Sequence, residues 1–215
     1  MHLTSEKVLS SNNFRKTSIF TYGDSFKAIY KAGNFDVEAL SRIKNNAPPH
    51  FVKILRFDEH NMLTEFIEGC DLDHVNLRTL DTNSIILQLC DALIALHRLR
   101  IAHFDIQPEN IMINNTGEIF VVDLEFASCL DNGALYLYPC KKCPYYAAPE
   151  FMSTGVVDYR SDIYSLGATI ERIILSDSEK SQFQSIVERC KNIDPSCRYD
   201  TVEKVKEDIL NVIYS

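Results

Sequence analysis

The chain has 215 residues, of which 46% are hydrophobic and 24% charged, and this composition excludes global intrinsic disorder. Its net charge of −8 disfavours nucleic acid as a partner, because an acidic surface repels phosphate backbones. No apolar run approaches the ~20 residues of a membrane-spanning helix, so we expect no membrane partner. The first residues also lack the basic and apolar stretches of a secretory signal, which favours a cytoplasmic location.

The earliest residues predict a β-rich lobe. Extended runs at 15–22 and 25–31 flank a Gly-Asp turn and indicate a hairpin. A short helix is predicted over 36–44, because Val37, Leu40 and Ile43 share one helical face. Further extended runs follow at residues 51–57 and 62–67. We take a break in the pattern at residues 68–71 as the end of this lobe.

A helical lobe is predicted from there on, which gives two lobes at residues 1–68 and 69–215 and an α+β fold class. Apolar residues at helical spacing predict a long helix over 82–99, with Asp81 or Asn83 as its cap. A small hairpin is predicted at residues 111–122, and an irregular stretch follows at 124–149. Three more helices are predicted at residues 161–175, 183–190 and 202–212.

The seven cysteines are odd in number and scattered, which favours reduced thiols in the cytoplasm over a disulfide framework. Cys140 and Cys143 are separated by two lysines and could form half of a metal site or a redox pair. Because no second pair lies at the usual spacing, an ordinary loop is the favoured interpretation.

Three polar residues carry the clearest chemical signal. Asp105 and Asn110 lie in the stretch from His103 to Asn110, between the long helix and the small hairpin, and Asp123 follows that hairpin. Phosphoryl transfer requires a carboxylate that takes the hydroxyl proton and oxygen ligands for Mg²⁺. These residue types therefore point to a phosphotransferase.

The same stretch resembles the catalytic loop of the protein kinase superfamily, which it matches at its His, Asp, Pro and Asn positions. The resemblance implies a bilobal α+β fold, with a reduced N-lobe and a mostly helical C-lobe, that uses ATP and Mg²⁺. It implies that Asp105 is the catalytic base and that Asn110 and Asp123 hold the metal. Gln107 would occupy the position of a catalytic lysine, and His103 would brace the loop.

Later segments resemble structural elements of the same superfamily. Ala147-Ala148-Pro149-Glu150 resembles the Ala-Pro-Glu that closes the activation segment, and Asp162 would hold the backbone of the catalytic loop. Arg198 resembles the arginine that pairs with that glutamate, so we expect an ion pair between Glu150 and Arg198. These elements point to protein kinases rather than to aminoglycoside or choline kinases.

In the first lobe, Phe26–Lys31 resembles the strand that ends in the phosphate-gripping lysine. Lys31 would contact the α- and β-phosphates, and Glu38 would hold it there. Lys27 lies on the same strand face and is a second candidate for this role. The remaining interpretation is that Lys31 faces solvent and contacts no phosphate.

The run from Leu63 to Gly69 resembles the hinge between the lobes. The Glu65 carbonyl and the Ile67 N–H would contact adenine, and Thr64 would lie behind it.

The sequence departs from the family pattern at several points. Residues 9–14 contain no glycine where a glycine-rich loop would cradle phosphates. Phe104 replaces the arginine before the catalytic aspartate, and Gln107 supplies no positive charge. Glu125 replaces the glycine of Asp-Phe-Gly and adds a carboxylate near the metal. Residues 176–181 are too few for the extra helix that docks protein substrates.

Three functions follow from this pattern. The first is a minimal serine/threonine protein kinase that acts as a monomer on a protein substrate. The second is a kinase of a small molecule or of a maturing peptide, and the third is a pseudokinase that inhibits a partner. The location is cytoplasmic, or a host cell if the protein is a delivered effector.

Overall fold

Five antiparallel strands and one helix build the first part of the chain, in the sheet order β1-β2-β3-β5-β4. The computed structural model describes residues 3–11, 16–22, 26–137, 145–174 and 176–215. The elements of this first part are β1 (Leu3–Ser11), β2 (Lys16–Tyr22), β3 (Phe26–Ala32), α1 (Val37–Asn46), β4 (Ile54–Phe57) and β5 (Asn61–Glu65).

Strand β1 has no counterpart in the sequence prediction. Its residues 4–10 are all exposed, so the strand lacks the alternation of apolar and polar residues by which half-buried strands are recognised. The glycine-free loop at residues 12–15 and the turn at residues 23–25 lie outside the described residues.

Helix α1 begins at a side-chain cap, Asp36. The Asp36 carboxylate accepts a hydrogen bond from the Ala39 backbone N–H at 3.0 Å, which satisfies one of the free donors of the first turn. Ala39, Leu40 and Ile43 are buried on one face of the helix. That face fixes which side of α1 turns toward the rest of the protein.

The second part of the chain is mostly helical, so the α+β class is confirmed. The strands of this part are β6 (Gly69–Asp71), β7 (Ile101–Ala102), β8 (Ile111–Asn114), β9 (Ile119–Val121), β10 (Ser128–Cys129), β11 (Leu135–Tyr136) and β12 (Val156–Val157). The helices are α2 (Thr82–Arg98), α3 (Pro149–Ser153), α4 (Tyr159–Ile173), α5 (Asp177–Cys190) and α6 (Val202–Tyr214). No helix of the described chain is long and apolar enough to cross a bilayer.

Local chemistry accounts for several of these elements. Asp81, rather than Asn83, caps α2 by accepting from the Ser84 N–H at 3.0 Å. Gly167 lets α4 approach α5 closely, because a Cβ on this residue would lie 2.5 Å from the Cβ of Cys190. The stretch predicted to be irregular contains β10 and β11, which pair with β7 and β12. Strand β6 pairs with β8, so the proposed lobe boundary falls between two different sheets.

A buried ion pair joins the start of α3 to the last part of the chain. Arg198 donates to both carboxylate oxygens of Glu150, at 2.8 and 2.7 Å, and also to the carbonyls of Arg160 and Asn192. The Arg198 side chain is fully buried. Burial raises the pKa of Glu150, but hydrogen bonds from Arg198 and Ser161 outweigh it and hold that pKa below its ordinary value.

We expect Arg198→Met to lower the free energy of unfolding by about 3–5 kcal/mol, because it leaves a largely buried carboxylate without its partner. Urea denaturation at neutral pH measures the loss. The lowered pKa of Glu150 means that this stabilisation is present above the ordinary glutamate pKa of about 4.3 and declines as pH falls below it. The difference between the two proteins should therefore shrink in acid.

Arg98→Met is the matched control. Arg98 pairs with Glu203 at 3.3 Å, but the two side chains are 71% and 48% exposed. Its loss should cost less than about 1 kcal/mol. Equal, small effects of the two substitutions would contradict a stabilising role for the buried pair.

Candidate active site

The loop that carries Asp105 is fixed by one buried carboxylate. Asp162 on α4 accepts hydrogen bonds from the backbone N–H groups of His103 at 2.8 Å and Phe104 at 2.7 Å. The Nε2 atom of His97 lies 2.9 Å from the same carboxylate. Burial raises the pKa of Asp162, but hydrogen bonding from His97 outweighs it and keeps the group charged. Asp162 thus holds the loop backbone, as the resemblance implies.

No role for His97 was predicted from the sequence, although it contacts Asp162 in the structure. His97 lies in the last turn of α2, is largely buried and packs on Tyr159, with 4.7 Å between ring centroids. Its contact with Asp162 spans 65 residues of sequence. No local pattern marks such a long-range partner.

Asp105 is oriented from both sides. Its backbone N–H donates to Nδ1 of the fully buried His103 at 3.2 Å. The Asn110 side-chain amide donates to the Asp105 carbonyl and to its carboxylate, both at 2.9 Å. Phe104, between them, has a φ of 59°, a left-handed conformation that is unfavourable for a bulky residue. Such strain often accompanies functional loops and persists only where the surroundings impose it.

Asp123 faces this loop from the end of the β8–β9 hairpin, also in a left-handed conformation, with φ of 62°. Its Oδ2 atom lies 2.7 Å from Lys31 Nζ. Burial raises the pKa of Asp123, but the Lys31 charge and hydrogen bond more than compensate and keep it ionised. Its Oδ1 atom is buried and has no hydrogen-bond partner among the described residues.

That unpartnered oxygen makes the residues compatible with a magnesium ion. Mg²⁺ prefers hard oxygen ligands and uses few protein carboxylates. Asp123 supplies a charged oxygen, and Asn110 supplies its amide oxygen, because its nitrogen is committed to Asp105. Asn110 is buried, which fixes the position of its side chain.

The expected pairing of Lys31 with Glu38 is not the arrangement in this structure. Glu38 lies on the outer face of α1, 64% exposed, and accepts from Arg42 Nε at 2.8 Å. The buried face of α1 presents Leu40 instead, because successive helical residues are rotated by about 100°. Lys31 is therefore paired with the carboxylate of Asp123 alone among the residues the structure describes.

A cavity of about 200 Å³ opens between the two parts of the chain. Its lining includes Lys31 and Asp123 at one end and the predicted hinge residues Glu65 and Ile67 at the other. Thr64, also in the lining, is buried. The Glu65 carboxylate accepts from the Lys53 N–H at 2.9 Å, and the Glu65 N–H donates to the Lys53 carbonyl at 3.0 Å.

The remaining candidates are placed as follows. Lys27, the rival of Lys31, is exposed, with its Nζ 5.1 Å from the Phe66 ring. Gln107 is half-buried at the start of the turn that contains Asn110. The Glu125 carboxylate lies close to Gly33, just after β3. A Cβ added to Gly33 would be 3.2 Å from one of its oxygens.

The two cysteines considered as half of a metal site, Cys140 and Cys143, lie outside the described residues. Within the described chain, no group of three or more His, Cys, Asp or Glu side chains is arranged to hold a metal ion.

Comparison with known proteins finds similarity to protein kinases. The sequence profile described as "Protein kinase domain" matches residues 40–213, a range that contains Asp105, Asn110 and Asp123 but not Lys31. Myosin light chain kinase 2 of skeletal/cardiac muscle from Mus musculus is 29% identical over 147 residues, which cover 61% of this chain and 23% of the relative.

Two further relatives are named as serine/threonine kinases. Serine/threonine-protein kinase max-2 of Caenorhabditis elegans is 27% identical over 71% of this chain and 28% of the relative. Probable serine/threonine-protein kinase yakA of Dictyostelium discoideum is 28% identical over 84% of this chain and 13% of the relative. The chain thus spans less than a third of the length of each of these curated relatives.

We expect Lys31→Met to raise the pKa of Asp123 above that of an ordinary aspartate. The substitution removes the neighbouring positive charge and leaves burial, which favours the neutral acid, as the main influence. NMR titration of ¹³C-labelled aspartate carboxyl groups measures the shift. Lys27→Met, on the same strand but exposed, is the control and should leave this titration unchanged. A shift of equal size in both variants would contradict the assignment of Lys31 as the partner of Asp123.

Proposed function

Because the chain belongs to the protein kinase family, we propose that it transfers the γ-phosphate of ATP to a serine or threonine hydroxyl of a protein substrate. The observation that carries the proposal is the pairing of Lys31 with Asp123 at one end of the cavity. Next to Asp123, the Val122 N–H donates to the carbonyl of Asn110, whose amide binds Asp105. The names of the relatives from Caenorhabditis elegans and Dictyostelium discoideum favour serine and threonine over other acceptors.

Asp105 is the catalytic base of the proposed reaction. The Asn110 amide and the His103 ring fix its side chain and backbone, so that the carboxylate can take the proton of the incoming hydroxyl. Precise placement matters because phosphoryl transfer relies mostly on positioning and charge stabilisation. The Asp162 contacts support this function indirectly by fixing the backbone that precedes Asp105.

The nucleotide site is divided between the two lobes. We assign adenine to the backbone of Glu65 and Ile67, and the α- and β-phosphates to Lys31. Asp123 and Asn110 would hold Mg²⁺, which neutralises phosphate charge when bound. Glu38 has no part in this site, because it faces solvent on α1. Gln107 offers the transferring phosphate a neutral hydrogen bond where the family pattern has a charged lysine, so we expect slow turnover.

We expect Asp105→Asn to lower kcat at least 100-fold, because the amide keeps the shape of the side chain but cannot accept the proton. The measurement is transfer of label from γ-labelled ATP with Mg²⁺ into a cell lysate and into the protein itself. Asp91→Asn is the matched control, since Asp91 pairs with Lys206 on a distant surface, and it should keep full activity.

The same assay separates the alternatives. Label in proteins that is lost in Asp105→Asn supports a protein kinase. Label only in small molecules or in a short peptide would replace the proposal with a metabolite or peptide-maturation kinase. No transfer to any acceptor, together with retained ATP binding, would indicate a pseudokinase that acts by binding a partner. Equal labelling by Asp105→Asn and the unmodified protein would remove Asp105 from the mechanism.

A further inference from the structure

Helix α1 is attached at two points to the short segment that follows Asp123. The Asp36 carboxylate, which caps α1 with one oxygen, accepts from the Cys129 N–H at 3.0 Å with the other. Six residues further along the chain, Arg42 donates to both carboxylate oxygens of Asp131, at 2.9 and 2.8 Å. The helix therefore cannot move away from residues 129–131 without breaking both attachments.

Arg42 is the centre of this connection. Its Nη1 atom also lies 3.3 Å from the Leu99 carbonyl at the end of α2, and its Nε binds Glu38. The parallel N–H groups of arginine match a carboxylate in a way that lysine cannot. The glutamate expected to hold Lys31 instead helps to orient Arg42.

Asp131 in turn is joined to the chain that precedes the catalytic loop. Its carboxylate lies 3.3 Å from Arg100 Nε, and its carbonyl accepts from the same guanidinium. The adjacent Leu130 N–H donates to the Arg100 carbonyl at 2.7 Å, and β10 pairs with β7 immediately before His103. Asp131 thus lies between two arginines, one on each lobe.

We infer that Arg42 and Asp131 are positioning residues that set the width of the nucleotide cleft, with their ion pair holding α1 and β3 against the support of the catalytic loop. Only residues 33–36 separate β3, which carries Lys31, from α1. The cleft is lined by β3 on one side and by Met112 and Asp123 on the other. This inference rests on the proposed function, because the affinity for ATP is the quantity that would reveal a change in the width of the cleft.

The geometry predicts a separation of kinetic effects. Loss of the ion pair loosens the lobe that carries Lys31, so ATP binding weakens. The catalytic loop itself stays in place, because Asp162 holds it through contacts that do not involve Arg42 or Asp131. The Michaelis constant for ATP should therefore change much more than kcat.

We expect Asp131→Asn to raise KM for ATP about tenfold and to change kcat less than twofold. Hydrogen exchange of the α1 amides, measured without nucleotide, should become faster, whereas exchange in α4 should not change. Arg42→Lys, which keeps the charge but loses the fork, should give an intermediate KM. Arg42→Ala combined with Asp131→Asn should raise KM by less than the product of the two single effects, because both substitutions break the same ion pair.

Asp200→Asn is the control, because Asp200 pairs with Lys204 on the exposed start of α6. It should leave KM and α1 exchange unchanged. Should the protein prove to transfer no phosphate, calorimetric titration with MgATP replaces KM, and a tenfold weaker affinity in Asp131→Asn still supports the inference. Unchanged α1 exchange, or faster exchange with unchanged ATP affinity, would overturn it, as would a fall in kcat at constant KM.

Discussion

The buried carboxylate of Asp162 is the interaction on which the site depends. It lies on α4 in the interior and accepts from two successive backbone N–H groups, those of His103 and Phe104. A buried charge is stable only when hydrogen bonds replace its lost hydration, and here His97 supplies the third. Because both backbone donors immediately precede Asp105, the helical core determines where the Asp105 carboxylate lies.

The lobe that carries Lys31 is joined to the helical lobe by two ion pairs as well as by a shared hydrophobic core. Lys31 reaches Asp123 directly, and Arg42 reaches Asp131, so both links end on the segment that follows the β8–β9 hairpin. Glu38, which the family resemblance places beside Lys31, supports the second link instead of the first. In the proposed reaction, Lys31 would move from Asp123 to phosphate oxygens without breaking a contact with a carboxylate on α1.

Spacing in the sequence was sufficient to place Asp105 beside Asn110, because the two lie five residues apart in one loop and bond to each other. Two other features depended on long-range packing: His97 meets Asp162 across 65 residues, and the direction of Glu38 follows from which face of α1 is buried. Strand β1 escaped prediction for a third reason, since an exposed strand has no apolar alternation to detect.

Phe104, the residue that stands where the family has an arginine, makes apolar contacts with the chain that follows Asp123. Phe104 is buried with Leu130, Phe151 and Val157. An arginine at this position could bind a phosphate, whereas the phenylalanine makes only apolar contacts. Phosphorylation acts by adding charge that arginines can bind, and a phenylalanine gives it nothing to bind. Asp131 already supplies a fixed negative charge between Arg42 and Arg100. Among the described residues, apolar contacts with Phe104 therefore hold Leu130, Phe151 and Val157, and two ion pairs hold Asp131, all without an added phosphate.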